Sequence, residues 1–432
     1  MESHMDLKQA IYSLRGQYSE LWQSTSPDLS TLQDKYTAQM QRSKEMAMDR
    51  FADQTILLIK GFNGKHDDTL WGSRLKSLVY NCGVDILDLE GTSMSFLLEE
   101  GFCDVTYDFT AGSREFDACF KIDDIFQSLR NAWIMCCIQR LMGLKVEMTP
   151  SVFAYSMLYP YTDNYLDHSS ASEAEKNQLN QRFRRRLAGE NLIAESLLEN
   201  RLFRLVGIIE EQYPRRQFPM VYEGLLGIQT AQERSVQQLD KRGGRSSKLS
   251  GSDILDISIE KGGCSVLADG CLVKGKLSEG EASFLFGFGV LLQLLDDLQD
   301  AKEDKKDGHM SIFSSSDANV TSEDNTNKLI SFISNILDGD KCFASPESEA
   351  IKRLMKKSVL FLMMGAVACN ADMYTASYLR QLEEYSPMSF KYLRGFYRKM
   401  GREFDKLKIK FAIKPLEVPM AKAFANGILK MI

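Results

Sequence analysis

The chain reads as an all-α protein, and three observations carry that reading. Proline is scarce, 9 in 432 residues, so long stretches are free of helix breakers. Apolar residues recur at three- and four-residue spacing along most of the chain, with no convincing strand-type alternation. With 44% hydrophobic residues, a chain of this length can bury a large core. One large bundle of roughly twelve to fifteen helices fits these features best.

The elements follow in order. Met1-Glu-Ser-His-Met5 has the form of a cloning scar ahead of the natural start. Residues 6–60 show helical periodicity through Leu7, Ile11, Leu14, Tyr18 and Leu21. Gly61 to Asp68 is a break, and a less regular, glycine-containing stretch follows to Gly112. Residues 6–112 therefore read as an N-terminal helical region packing on a second unit, 113–432. From Phe116 the helical pattern strengthens through Phe120, Ile125, Leu129 and Trp133. Thr149-Pro150 has the form of a helix start, and Pro160 is expected to kink or interrupt that helix. A basic helix spans about 171–190, and Asn191–Gln212 precedes a break at Pro214 and Pro219. Lys261-Gly262-Gly263 is expected to interrupt a helix with a kink. Asp240–Ser252, Ser314–Asn327 and Asp338–Glu349 are expected to be loops.

Composition excludes several classes. The net charge of −6 argues against a nucleic-acid partner, which favours a basic excess. The 9 cysteines are odd in number and lack CxxC spacing, so they read as buried thiols in a reducing compartment. The apolar runs Phe284–Leu295 and Val359–Cys369 fall short of the ~20 residues a bilayer span needs. The expectation is a soluble, cytoplasmic protein with no integral membrane segment, working alone or as a homodimer.

Chemistry concentrates in Leu291-Leu-Gln-Leu-Leu-Asp-Asp-Leu-Gln-Asp300-Ala-Lys-Glu-Asp304. A wholly apolar approach runs into carboxylates with no turn residue between. At about 100° per residue, Asp296, Asp300 and Asp304 share one helix face, drifting about 40° per step. Stacked carboxylates repel unless a cation sits among them, and hard divalent ions combine a few carboxylates with substrate phosphates. Alone, such a cluster is more often a solvated helix end. Asp163-Asn-Tyr-Leu-Asp167 supplies a second pair of carboxylates four residues apart, again behind an apolar-aromatic run.

Together the two segments resemble the aspartate-rich motifs of the class I isoprenoid (terpene) synthase superfamily. Gln293-Leu-Leu-Asp296-Asp297-Leu-Gln-Asp300 is similar to the second motif of the chain-elongating prenyl synthases. Asp163-Asn-Tyr-Leu-Asp167 keeps the first and last positions of their first motif, with Asn164 between. Arg182-Phe-Arg184-Arg-Arg186 and the segment from Lys261 to Asp269 look more like the bacterial large-terpene synthases. The resemblance spans about residues 115–400. It implies a helical bundle around a deep apolar pocket, with 113–432 as the catalytic domain. It further implies Mg²⁺, three ions with Mn²⁺ as a substitute, held by Asp163, Asp167, Asp296, Asp300 and Asp304 against a prenyl diphosphate. The implied activity is ionisation of that linear substrate, then cyclisation or deprotonation to a terpene. The alternative is a chain-elongating or head-to-head prenyl transferase. His168-Ser-Ser-Ala lacks the paired arginines that elongating enzymes carry after the first motif.

Further residues are candidates for the diphosphate. Guanidinium forks suit phosphate oxygens, which nominates Arg182, Arg185 and Arg186, with Arg184 among them, and Arg130 on the aromatic helix. Prenyl synthases place a lysine at a helix break to hold the diphosphate, and Lys261 resembles it. Gln293, one turn before Asp296, either meets a ligand or metal-bound water or is a satisfied core amide. Asp297 points about 100° away from Asp296 and suits a supporting role. Tyr392-Leu-Arg394-Gly-Phe-Tyr397-Arg398 is either a lid over the metal site or an amphipathic surface helix.

Overall fold

The computed structural model describes residues 5–61, 68–99, 101–167, 172–239, 249–315, 321–339 and 341–413. Among the described residues there are seventeen α-helices and no strand. They are α1 (Leu7–Ser24), α2 (Ala38–Gly61), α3 (Asp68–Asn81), α4 (Gly91–Glu99), α5 (Phe102–Phe116) and α6 (Ile122–Leu141). Then come α7 (Pro150–Asp167), α8 (Glu173–Leu187), α9 (Leu197–Gln212), α10 (Pro219–Ser235), α11 (Gly251–Lys274) and α12 (Glu279–Gln299). The rest are α13 (Ala301–Asp307), α14 (Ser322–Leu337), α15 (Ser348–Cys369), α16 (Ala376–Glu383) and α17 (Phe390–Ile413).

Several starts are written in the sequence as capping boxes. Ser172 with Glu175, Ser250 with Asp253, Ser278 with Glu281 and Thr321 with Asp324 each exchange side-chain and backbone bonds at a helix N-terminus. The all-α expectation holds, and several local expectations do not; the loop expected over Ser314–Asn327, for one, is already helical from Ser322. The stretch to Gly112 is helical, formed by α3, a π-turn at Cys82–Ile86, α4 and α5. Its periodicity is masked because Thr106 and Thr110 lie on the buried face of α5. Each hydroxyl donates to the carbonyl one turn back, at 2.7 and 2.8 Å, so these polar side chains are satisfied inside the core. Pro160 does not interrupt α7, which runs unbroken to Asp167 between α6 and α9. The thiols are not uniformly buried, since Cys119 and Cys369 are exposed. The Asp240–Lys248 part of the expected first loop lies outside the described residues.

The centre of the bundle is the antiparallel pair α11 and α12, joined through Gly275, whose φ of 79° closes α11. Around α11 stand α1, α6, α7 and α10, and α12 is backed by α14 and α15. Helix α1 belongs to the same core, burying Leu7, Leu14, Tyr18 and Trp22. A satellite cluster of Leu75, Val79, Leu89, Met94, Leu98, Cys103 and Leu354 joins α3–α5 to α15. No helix among the described residues is long and apolar enough to cross a membrane.

Lys261-Gly262-Gly263 does not interrupt α11, which runs from Gly251 to Lys274. The glycines instead permit contact with α12. A Cβ on Gly262 would stand 2.5 Å from Cβ of Gln293 and closer still to the Gly289 carbonyl oxygen. A Cβ on Gly289 would overlap the Gly262 carbonyl, and one on Gly263 would overlap the Phe286 ring. Both backbones are in the way, so no side-chain rotation relieves these clashes. Gly289→Ala is expected to destabilise the fold by ~1–3 kcal/mol and lower the melting temperature by several degrees. Gly395→Ala on α17, where a Cβ meets nothing within 4 Å, is expected to be neutral or to stabilise by ~0.5–1 kcal/mol. Paired thermal melts test the contrast.

Candidate functional site

The carboxylates cluster where α12 passes into α13. Asp300 is the joint, with φ −93° and ψ 2°, closing α12 and opening α13. Its N–H donates to the Asp296 carbonyl at 2.9 Å, and the Asp304 N–H donates to the Asp300 carbonyl at 2.8 Å. Asp296 and Asp304 stay close enough across the change of helix for both charges to act on Asp300. Asp296 and Asp300 are exposed and Asp304 is half-buried. Partial withdrawal from water, then the charges of Asp296, Asp304 and Glu303, push Asp300 up to about 6, against an opposing pull from Arg130. No lysine or arginine among the described residues forms an ion pair with Asp296 or Asp300.

Asp297 faces inward and is 4% exposed. Its two oxygens accept from Ser258 Oγ of α11 at 3.0 Å and Gln293 Nε2 at 2.8 Å. Burial raises its carboxyl to about 6, with Asp296 adding to the rise while the two donors and Lys261 oppose it. Gln293 is thus engaged within the protein, as the satisfied-amide alternative has it. Ser258 is in turn reached by Gln238 Nε2 at 3.3 Å, which also donates to the Met310 carbonyl at 3.0 Å. The Met310 N–H returns to the Gln238 carbonyl, and Leu239 and His309 form a β-bridge. Gly308, at φ 77°, turns the chain so that His309 faces Asp304, with Nδ1 at 3.3 Å. Aspartate raises the His309 imidazole above its ordinary range, with Lys261 opposing.

Two sequence candidates come to this place. Lys261 lies half-buried on α11, near enough for its charge to act on Asp297 and His309. Arg130 of α6 is exposed and acts on Asp300. Neither forms an ion pair with a described residue. Asp163 and Asp167 belong to the C-terminal end of α7, which packs on α6 and α11, but their side chains lie outside the described residues.

The arginine run goes elsewhere. Arg182 is held by Glu195 and Glu199, Arg184 by Glu233, Arg185 by Glu190, and Arg186 by Glu210, which Arg215 shares. These pairs bind α8 to α9 and α10 and leave no described link to the aspartate cluster. Aromatic side chains of α6, α7 and α12 are packed into the core. Phe286 is fully buried against Tyr18 and Gly263, Phe284 stacks on Phe288, and Trp133 donates to Thr106 at 2.8 Å. Tyr161 donates to Asp117 at 2.7 Å, and Arg201 joins them.

Asp269 escaped the sequence reading, although a carboxylate inside the apolar run from Gly262 to Val273 was a visible signal. It is fully buried, two turns below Lys261 on the same α11 face. Asn131 Nδ2 donates to Oδ1 at 3.2 Å, while Oδ2 has no partner. Burial pushes this carboxyl well above its ordinary value, with the Asn131 donor opposing.

The donor set suits a hard divalent cation: carboxylate oxygens, mutual repulsion at Asp300 and no neutralising partner. Among the described residues, no group of three or more His, Cys, Asp or Glu converges tightly enough to hold a metal unaided. A bound ion would therefore draw ligands from elsewhere, which is how Mg²⁺ behaves with phosphate substrates. No family model matches the chain, and no curated protein or solved structure is significantly similar to it.

Because Asp297 is raised from 3.8 to about 6, the folded state holds that proton more tightly than the unfolded chain. Its stabilising contribution is complete below about pH 4 and is lost as pH rises through about 6. Asp297→Asn removes the titration, so the stability of the variant relative to the parent should rise by up to ~3 kcal/mol between pH 4 and pH 7. Denaturant titrations at the two pH values measure this, and an unchanged gap refutes the assignment.

Proposed function

We propose that the protein is a class I terpene synthase that ionises a linear prenyl diphosphate with the help of Mg²⁺ and releases a cyclised or deprotonated terpene. The observation that carries the reading is the juxtaposition of an uncompensated carboxylate face with two cations, Arg130 and Lys261, that have no acidic partner among the described residues. A site for a metal–diphosphate complex needs both: anionic oxygens for the cation and positive donors for the phosphate oxygens that the cation leaves uncovered.

Asp296, Asp300 and Asp304 are the proposed metal-holding residues on one wall, with Asp163 and Asp167 as the second set. The metal, when bound, supplies Lewis-acid stabilisation of the departing diphosphate. Lys261, on the helix locked to α12, aims a compact positive charge at the phosphate oxygens. Arg130 approaches from α6 with a planar fork. Both stabilise negative charge as the C–O bond lengthens, and both are in place before the reaction. Asp297, clamped by Ser258 and Gln293, holds the α12 backbone so that Asp296 and Asp300 keep their spacing. The apolar faces of α6, α7, α11 and α12 are the proposed surface for the prenyl chain, where exclusion of water protects the allylic cation from capture. The resemblance of both aspartate motifs supports the same reading.

Purified protein with Mg²⁺ and prenyl diphosphates from ten to thirty-five carbons, with and without isopentenyl diphosphate, tests it. Hydrocarbon or alcohol from a single substrate is expected. Longer diphosphates formed only with isopentenyl diphosphate would identify a chain-elongating enzyme instead. Asp296→Ala, Asp163→Ala and Lys261→Ala are each expected to lower kcat by ~100-fold or more at unchanged helical content. Arg185→Ala, which breaks only the exposed pair with Glu190, should change it less than about threefold. Equal effects at Lys261 and Arg185 would remove Lys261 from the site.

A further inference from the structure

The charge of the chain is distributed very unevenly. Residues 391–432 hold eleven Lys and Arg against three Asp and Glu, a net +8 in a chain whose total is −6, which leaves −14 on residues 1–390. This segment begins with α17, whose buried Leu393, Phe396 and Met400 seat it on α15. The side turned toward α2 is neutralised: Lys399 pairs with Asp49 and Asp53, and Glu403 pairs with Lys60 and Lys406.

The other side is not. Lys391, Arg394, Arg398 and Arg402 fall within about 80° of one another at 100° per residue. No carboxylate among the described residues pairs with any of them. Arg402 donates to the Arg398 carbonyl at 3.2 Å, Arg398 to the Arg394 carbonyl at 3.1 Å, and Arg394 to the Ala368 carbonyl at 3.2 Å. These bonds hold the guanidinium groups in a row without cancelling their charge. Lys302 extends the patch, donating to the Cys369 carbonyl at 2.9 Å. Lys302, Arg394 and Arg398 all stand close enough to act on the Cys369 thiol. Asp372, bound to Lys302, is the acid at this edge.

We propose that this basic ridge is a docking surface for an anionic lipid bilayer. Charge complementarity selects an anionic partner, and the composition of the segment selects a membrane over a nucleic acid. After Arg402 every cation is a lysine, at 406, 408, 410, 414, 422 and 430, and apolar residues such as Leu407, Ile409, Phe411 and Ile413 stand between them. Lysine stems and apolar side chains suit the headgroup boundary together, whereas apolar side chains have no role on a phosphate backbone. Four to eight cations on one helix match the number that holds proteins to acidic leaflets. The proposal does not depend on what the aspartate site does.

Co-sedimentation of the full chain with vesicles is the test, comparing phosphatidylcholine alone with phosphatidylcholine containing about a quarter phosphatidylglycerol. Binding to the anionic vesicles only, with release at about 0.5 M salt, is expected. The Lys391→Glu, Arg398→Glu, Arg402→Glu triple variant should bind ~100-fold more weakly or worse at an unchanged melting temperature. Should the triple variant melt early, Arg398→Gln with Arg402→Gln provides a milder reading, expected at about 10-fold. Arg398→Lys with Arg402→Lys should retain binding. Equal binding to neutral vesicles, no binding to anionic ones, wild-type binding by the triple variant, or tighter binding to duplex DNA than to vesicles would each overturn the proposal.

Discussion

The backbone contact of α11 with α12 at Gly262 and Gly289 is the constraint on which the candidate site depends. Two helices come this close only where neither carries a Cβ, and the approach determines what stands around it. Ser258, one turn before the contact on α11, reaches Asp297, two turns beyond it on α12. Lys261 is the immediate neighbour of Gly262, so its charge is delivered to the same end of the pair as the aspartates. A wider separation would leave Asp297 buried without its Ser258 donor, which is far costlier than leaving the same group in water.

Electrostatics then divide the acids at this end into two kinds. Asp297 is raised chiefly by burial but has both oxygens engaged, so it acts as a fastening. Asp300 stands at the surface with like charges before and after it and no ion-pair partner among the described residues. Repulsion of that type is relieved by a proton or by a cation. Asp300 closes α12 and opens α13, tied by backbone bonds to Asp296 behind it and Asp304 ahead, so the acids stay close and the repulsion is borne by these bonds and by the packing of α12 between α11 and α14. The unpaired Arg130 and Lys261 lie to the side and act at a distance, leaving the carboxylate oxygens of the face open.

How much of this was legible in the sequence depended on whether the signal was local. The starts of α8, α11, α12 and α14 could be read because Ser or Thr three residues before an acid is a local motif with a local mechanism. The shared face of Asp296, Asp300 and Asp304 followed from helical spacing alone. The role of Gly262 and Gly263 did not, because a glycine pair is equally a kink and a contact until the opposing helix is known. Helices α3 to α5 were hidden for a related reason: the buried threonines of α5 are polar by composition and satisfied by geometry. Asp269 was plainly visible as a letter, but the burial that raises its carboxyl and leaves Oδ2 without a partner is a property of the surrounding core.

The arginines show most clearly where composition stops being informative. Arg182, Arg184, Arg185 and Arg186 form the densest basic run before the C-terminal segment, yet each meets a glutamate, three of them on α9 or α10 and the fourth in the turn that leads to α9. Arg394, Arg398 and Arg402 are spaced more loosely and pair with carbonyl oxygens, which leave a full positive charge outward. A guanidinium bound to a carboxylate is electrically closed, while one bound to a carbonyl is positioned and still open to an anion. The run that looked poised for phosphate is therefore the cement of α8. The scattered residues of α17, like Arg130 and Lys261, are cations that no acid among the described residues has claimed.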